Sequence, residues 1–246
     1  MPQTDPPAST TPTALSGRTA LVTGASRGIG RSVSLSLAQL GARLLLVARD
    51  RKALAEIQQE IVDLATAAEA FPCDLASSSE IQALASRVDA AGGCDILVNA
   101  AGIGRTGMPL HEMALEDFEA IFATNVRAPF LLMRAVVPHM RALGSGDIVN
   151  ISSLAGQGPL ANGAAYAASK WALNGLSYSV AEELRAHNIR VSVIAPGSVN
   201  TSFGGAGKDR AKMLQPEDVA AAVTMLVTQP RHAFISELRM RPTQKP

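Results

Sequence analysis

A tyrosine and a lysine four residues apart, Tyr166 and Lys170, combine the functional groups needed for a proton transfer. Residues at positions i and i+4 of a helix share one face, so both side chains can point into one cleft. A free tyrosine titrates near a pKa of about 10, and a neighbouring ammonium lowers that pKa by favouring the phenolate. Tyr166 is therefore a candidate general acid/base for interconverting a carbonyl and an alcohol. A surface pair on an amphipathic helix is the alternative interpretation.

A glycine-rich stretch near the start of the chain has the composition of a phosphate-binding loop. It reads Gly24-Ala25-Ser26-Arg27-Gly28-Ile29-Gly30, between a short apolar run and a helical pattern. Glycine permits a tight turn and close approach of the backbone to a pyrophosphate, and a helix N-terminus offers unpaired N–H groups and the positive end of its dipole. A merely tight turn is the alternative, but the position in a first βαβ unit favours dinucleotide binding.

The charges beside this loop favour NADP(H) over NAD(H). An acidic residue at the end of the second strand commonly binds the ribose 2′-hydroxyl of NAD, whereas arginine accommodates the 2′-phosphate of NADP. Here that strand ends Ala48-Arg49, and Arg27 is a second basic group from the loop. Two guanidinium groups can hold a phosphate by charge-assisted hydrogen bonds. Asp50 leaves an alternative open: it either caps the following helix or binds the ribose.

The elements that must position these residues alternate between short apolar strands and longer helices, a pattern typical of βαβ units. We expect one α/β domain over residues 17–246, with a single-domain Rossmann fold: a doubly wound parallel sheet of about seven strands, ordered 3-2-1-4-5-6, with helices on both faces. Residues 1–16, rich in Pro, Ser and Thr, are expected to form a disordered N-terminal extension. The expected strands are 18–23, 43–48, 68–73, 95–99, 146–152, 190–195 and 235–240, and the expected helices are 28–40, 50–66, 77–91, 116–143, 163–187 and 215–228.

Motifs along almost the whole chain resemble those of the short-chain dehydrogenase/reductase family. They begin with Thr-Gly-x-x-x-Gly-x-Gly at Thr23–Gly30 and include Tyr-x-x-x-Lys at 166–170. The resemblance implies a catalytic tetrad in which Ser153 holds the substrate oxygen, Lys170 also binds the nicotinamide ribose, and Asn125 holds a proton-relay water. It further implies NADP(H)-binding positions, which are Gly24, Ser26, Arg27, Gly28, Ile29, Gly30, Arg49, Asp74, Leu75, Asn99, Ala100, Ala101, Gly102, Tyr166, Lys170, Pro196, Gly197, Val199 and Thr201.

Two branches of the family compete as sub-resemblances. The centre is similar to 3-oxoacyl-acyl-carrier-protein reductases, and the tail is more similar to serine and 3-hydroxy-acid dehydrogenases. Substrate identity is expected to reside in Ile103–Met108, Leu154–Gly163 and the segment after Thr201. The resulting expectation is an NADP(H)-dependent carbonyl reductase or alcohol dehydrogenase for a small molecule. A catalytically silent NADP-binding regulator or redox sensor is the alternative, although such sensors tend to lose the Tyr or Lys.

Composition excludes several other classes of protein. Lys and Arg total 22 against 21 Asp and Glu, so the net charge of +1 gives no reason to expect a nucleic acid or membrane surface as partner. No apolar stretch approaches the roughly 18 residues of a membrane span. Cys73 and Cys94 are expected to be free thiols, the four histidines form no metal motif, and a cytoplasmic location follows.

The composition of one predicted helix indicates that the protein forms an oligomer. Ala164 to Val180 is apolar or small on nearly every face, and such a helix must be covered on two sides. One side can pack on the sheet and the other on a second subunit, and the resemblance implies a homodimer or homotetramer. Trp171, the only tryptophan, is expected to pack between helices.

Overall fold

The computed structural model describes residues 13–64, 66–203 and 209–246, which form a seven-stranded sheet with helices on both faces. The strands are β1 (Thr19–Thr23), β2 (Arg43–Ala48), β3 (Ala68–Pro72), β4 (Ile96–Asn99), β5 (Gly146–Ile151), β6 (Ile189–Pro196) and β7 (Glu237–Met240). All pairings are parallel, in the order β3-β2-β1-β4-β5-β6-β7, which confirms the predicted doubly wound topology. The central strands are buried on both faces, and this accounts for their continuous apolar sequences.

The helices lie close to their predicted positions, with ends that differ by a few residues. They are α1 (Gly28–Gln39), α2 (Arg51–Asp63), α3 (Ser78–Ala90), α4 (Leu115–Phe122), α5 (Ala128–Leu143), α6 (Ala164–Leu184) and α7 (Pro216–Thr228). Helix α6 stops at Leu184 rather than at 187, because a short 3₁₀ turn follows and Asn188 adopts a left-handed conformation with φ of 56°. Helix α2 begins after Asp50, whose carboxylate accepts hydrogen bonds from the backbone N–H groups of Lys52 and Ala53.

Two apolar cores lie on opposite faces of the sheet, one against α1, α2 and α7 and the other against α3, α5 and α6. Leu15 belongs to the first core: it is 1% exposed, and its backbone N–H bonds to the carbonyl of Leu40. The sequence predicted that Leu15 belongs to the disordered N-terminal extension. Because Leu15 is part of the core, the ordered fold begins before Gly17. The sequence did not predict this because Leu15 is a single leucine outside any hydrophobic periodicity, although it fills a core position next to the end of α1. The remainder of the extension, residues 1–12, lies outside the described residues.

The helix predicted at 116–143 is continuous from Leu115 to Leu143, but it contains a π-helical turn at Ala123–Arg127 between α4 and α5. By length and composition alone this 29-residue helix could cross a bilayer, contrary to the expectation that no stretch approaches that size. One of its faces packs on the sheet through residues such as Leu132 and Val136. Other residues of this helix, such as Phe118 and Phe130, are exposed.

Two further residue expectations have different outcomes. Cys73 and Cys94 are both free, and burial raises their thiol pKa values to about 11 and about 12, respectively. Trp171, expected to pack between helices, is instead 54% exposed. More than half of the Trp171 surface is therefore left open by the described part of this chain.

Candidate active site

The glycine-rich loop between β1 and α1 is packed too tightly for side chains at its key positions. A Cβ at Gly30 would lie 2.3 Å from the carbonyl oxygen of Gly24, and one at Gly24 would lie 3.0 Å from the backbone of Ala101. Gly24 also has a φ of +68°, a conformation that side chains disfavour. The first turn of α1 contains no acidic residue. Because these positions carry no side chains, a ligand can approach the backbone of the loop next to the N-terminus of α1, as the binding of a pyrophosphate requires.

Thr23 ties this loop to the segment after β4. Its hydroxyl accepts hydrogen bonds from the backbone N–H groups of Ala100 and Ala101, at 3.0 and 3.1 Å. Asn99 ends β4 and donates to Asn150 in the neighbouring strand at 2.8 Å. The predicted segment Asn99–Gly102 thus lies directly beside the glycine-rich loop.

The end of β2 presents positive charge beside the same loop. Ala48 ends the strand, and Arg49 is exposed, as is Arg27 at the N-cap of α1. Among the residues that the structure describes, neither guanidinium has a carboxylate within ion-pair distance. Asp50 uses one carboxylate oxygen to cap α2, with two hydrogen bonds of 3.1 Å. The capping interpretation of Asp50 is therefore correct, and both arginines are accessible to an anion.

The other predicted binding positions follow the carboxyl ends of β3 and β6. Asp74 accepts a hydrogen bond from the backbone N–H of Ala76, and Leu75 beside it is buried. Pro196 ends β6, and the backbone N–H of Gly197 bonds to Met240. Val199 is buried, and the methyl group of Thr201 would contact a Cβ at Gly28 at 3.1 Å. Ser26 and Ile29 lie within the glycine-rich loop, half-buried.

Tyr166 lies near the start of α6 with its hydroxyl next to Ser153, at the end of β5. Burial raises the pKa of Tyr166, and a hydrogen bond from Ser153 partly offsets this rise. Ser153 also caps a short 3₁₀ turn, because its hydroxyl accepts from the backbone N–H of Ala155 at 3.1 Å. Ser153 therefore lies at the edge of the sheet where open α/β folds bind ligands.

Lys170 lies one turn further along α6 and is almost fully buried, with 4% of its surface exposed. Its ammonium donates to the backbone carbonyl of Ile151 at 2.9 Å, and burial lowers its pKa to about 8. A Cβ at Gly102 would lie 3.5 Å from this ammonium and 3.4 Å from the side-chain oxygen of Asn125. The absent side chain at Gly102 leaves space between the two polar groups.

Asn125 lies in the π-helical turn, and its side chain makes three hydrogen bonds. Its amide oxygen accepts from the backbone N–H of Ile103, and its amide nitrogen donates to the carbonyl of Ile103 and to the hydroxyl of Ser169. Ser169 in turn donates to the backbone carbonyl of Tyr166 at 2.7 Å. π-Helical turns occur frequently at functional sites. Here the π-helical turn contains Asn125, whose side-chain amide links α6 to the loop after β4.

The structure thus brings Asn125, Ser153, Tyr166 and Lys170 to the edge of the sheet that carries the glycine-rich loop. Three further residues contribute to the arrangement without having been singled out as site residues. Ser169 and Thr23 could have been found from their positions beside the Tyr-x-x-x-Lys and Thr-Gly motifs. Phe203 packs on the ring of Tyr166, with ring centroids 5.6 Å apart, and no motif or periodicity indicated that contact.

Comparisons with known proteins find a matching family model and several similar proteins. The family model described as short chain dehydrogenase matches residues 18–238. An uncharacterized oxidoreductase of Staphylococcus saprophyticus is 34% identical over 93% of this chain and 98% of its own length. A D-threitol dehydrogenase of Mycolicibacterium smegmatis is 35% identical over 87% of both chains. The crystal structure of a metagenomic short-chain oxidoreductase in complex with NADP is 50% identical, covers 94% of this chain and 100% of its own, and superimposes with a TM-score of 0.85.

Proposed function

Since the chain belongs to the short-chain dehydrogenase family and is an oxidoreductase, we propose that it interconverts a carbonyl and a secondary alcohol with NADP(H), with Tyr166 as general acid/base. The observation that carries this proposal is that the buried side chains of Tyr166 and Lys170 lie together on α6, next to the segment after β4 that contacts the glycine-rich loop. NADPH, when bound, supplies the hydride. The protein then has to hold the carbonyl oxygen and deliver a proton to it.

Tyr166 is suited to deliver that proton in the direction of reduction. Burial raises its pKa, so the phenol keeps its proton at neutral pH and can donate it as the carbonyl oxygen gains negative charge. Ser153, which follows β5, is assigned the role of holding the same oxygen and fixing its direction of approach. A positioned acid of this type contributes roughly 10² to 10⁴-fold to the rate.

Lys170 and Asn125 are assigned supporting roles for the proton donor, Tyr166. The buried ammonium of Lys170 is positioned by Ile151 and favours the phenolate that remains on Tyr166 after proton transfer. We assign Lys170 a second role in binding the nicotinamide ribose. Asn125, held by Ile103 and Ser169, fixes the loop after β4 against α6 and is assigned the role of holding a relay water.

The cofactor fits the residues present. The glycine positions that a Cβ would fill surround the expected pyrophosphate, and Arg27 and Arg49 are open to a 2′-phosphate. Ala48 stands where NAD-binding sheets commonly place a carboxylate, and the carboxylate of Asp50 caps α2. The NADP in the crystal structure of the 50% identical oxidoreductase supports the same choice.

Oxidation of NADPH, followed at 340 nm against a panel of ketones, tests the proposal. Turnover of at least one ketone is expected, together with NADPH binding in the micromolar range or tighter. A regulator that only senses NADP(H) is the second candidate, and it would bind NADPH but reduce no member of the panel. The complete set of Asn125, Ser153, Tyr166 and Lys170 favours the enzyme.

We also propose a cytoplasmic homo-oligomer, with subunits joined through α4, α5 and α6. Phe118 and Phe130 line an open groove of about 910 Å³ along these helices, and Trp171 is exposed on α6. Exposed aromatic side chains on neighbouring helices are enriched at subunit interfaces. Light scattering coupled to size exclusion is expected to give a dimer or tetramer, and Phe130→Glu should shift it toward the monomer. A wild-type monomer would contradict this assignment.

A further inference from the structure

Phe203, two residues beyond Thr201, lies against the ring of the proposed proton donor. The centroids of the Phe203 and Tyr166 rings are 5.6 Å apart with an interplanar angle of 48°, a tilted aromatic contact. The backbone N–H of Phe203 bonds to the hydroxyl of Thr201 at 3.2 Å, which ties the residue to the end of the loop after β6. About half of Phe203, 51%, remains exposed and accessible to a bound molecule.

Gly104 makes this contact possible. A Cβ at position 104 would lie 2.9 Å from Cζ of Phe203 and 3.0 Å from Cδ2 of Tyr166. Real Cβ contacts are almost never so short, so any side chain at this position would displace one of the two rings. The close contact between the rings of Phe203 and Tyr166 therefore depends on the glycine at position 104.

Two polar side chains of the surrounding segments, those of Arg105 and Gln157, are occupied elsewhere. Arg105, the one charged residue in the segments Ile103–Met108 and Leu154–Gly163, pairs with Asp117 at 3.1 Å. Gln157 donates to Glu237 on β7. Arg105 and Gln157 thus bind partners other than Tyr166. The ring of Phe203, in contrast, presents a flat apolar face next to Tyr166.

We propose that Phe203, with the space left by Gly104, selects carbonyl compounds whose larger substituent is flat and apolar, such as an aryl ketone. This inference rests on the proposed function, because it specifies the substrate of the same site. The carbonyl oxygen is held at Tyr166 and Ser153, and the substituent stacks on the exposed part of the Phe203 ring. Aromatic stacking favours a planar group over a saturated one of equal size.

The test compares acetophenone with cyclohexyl methyl ketone and 2-butanone, each reduced with NADPH, and adds oxidation of D-threitol with NADP⁺. Phe203→Ala should lower kcat/KM for acetophenone about tenfold, mainly through KM, and change that for 2-butanone less than about threefold. Phe203→Leu keeps apolar bulk and loses flatness, so it should lose the preference for acetophenone over the cyclohexyl ketone. Val62→Ala, with a similarly exposed side chain on α2, is the control and should leave every value unchanged.

Gly104→Ala tests the pairing, since the new methyl group displaces the Phe203 ring. Alone it should reproduce the loss on acetophenone, and combined with Phe203→Ala it should add little to that loss. Equal losses on all three ketones, no loss, or a wild type that prefers D-threitol to the aryl substrate would each overturn the inference while leaving the proposed oxidoreductase intact. A wild type that binds NADPH but turns over none of these compounds would instead refute the proposed function.

Discussion

The ammonium of Lys170 lies 5.8 Å from the centre of the Tyr166 ring and gives its hydrogen bond to the backbone of Ile151. Burial therefore acts on the two groups in opposite directions: it raises the pKa of Tyr166 and lowers the pKa of Lys170 to about 8. The sequence predicted that a nearby ammonium and the positive nicotinamide of the cofactor together lower the tyrosine pKa. Without the nicotinamide, desolvation is the largest effect on Tyr166, and it raises the pKa.

Replacing Tyr166 by Phe removes one hydroxyl and keeps the ring. If the phenol is the proton donor, turnover of the best ketone should fall about 10² to 10⁴-fold, and NADPH affinity should be retained. Tyr178→Phe is a matched control on the same helix, because the Tyr178 hydroxyl bonds to Glu237 on β7, away from Ser153. Steady-state kinetics and NADPH titration distinguish the two variants. A Tyr166→Phe enzyme with most of its turnover intact would refute the mechanism.

Arg49→Asp should weaken NADPH binding about tenfold or more, because an attraction to the 2′-phosphate becomes a repulsion. NADH lacks that phosphate, so its affinity should change much less. Arg141→Asp, an exposed arginine at the end of α5, makes the same change in net charge as a control. If wild type binds NADH more tightly than NADPH in fluorescence titrations, the charge argument is wrong and Asp50 binds the ribose.

The features predicted correctly from the sequence are those that depend on neighbours in the chain. Apolar runs give the strands, Gly24–Gly30 gives the turn into α1, and Tyr166 and Lys170 fall on one helix face. Features created by packing between distant segments were not predicted. Leu15 is a single leucine in a Pro- and Thr-rich stretch, yet it fills a core position. Phe203 lies in a glycine-containing segment without periodicity, and its contact with Tyr166 depends on the path of the chain after β6.

Asn125 shows the same division between local and distant information. The resemblance identified the residue, but a helical pattern over 116–143 gives no sign of a π-turn. The side chain of Asn125 in that turn bonds to partners from the loop after β4 and from α6, namely Ile103 and Ser169. The desolvation that raises the pKa of Tyr166 likewise depends on the complete fold.

Gly30→Ala should destabilise the fold and impair NADPH binding, since its Cβ would lie 2.3 Å from the Gly24 carbonyl oxygen and the loop must move. Overpacking of this kind costs about 1–3 kcal/mol, and a melting temperature several degrees lower is expected. Gly175→Ala on α6 is the matched control: among the described residues, no atom outside its own stretch of helix backbone and its chain neighbours would lie within 4 Å of the added Cβ, and alanine is the better helix former. Its melting temperature should be unchanged or higher. Equal melting temperatures and NADPH affinities for the Gly30 variant and wild type would contradict the tight packing of the loop.

Lys170→Met should stabilise the protein at neutral pH while it removes activity. Burial lowers the lysine pKa to about 8, so the unfolded chain binds this proton more tightly than the folded protein. The resulting destabilisation of wild type is full below about pH 8, shrinks as the pH rises, and is gone above the unfolded value near 10.5. Its upper limit is about 3 kcal/mol, and the lost hydrogen bond to Ile151 offsets part of the gain.

The expected result is a melting temperature for Lys170→Met that exceeds wild type by a few degrees at pH 7, with a difference that declines between pH 8 and pH 10. Lys52→Met, an exposed lysine at the start of α2, should show neither the gain nor its pH dependence. Thermal melts in cofactor-free buffer across this range provide the measurement. A variant that is less stable than wild type by the same amount at every pH would show that the Lys170 ammonium is compensated by its surroundings, and that the fold does not sacrifice stability to keep this charge beside Tyr166.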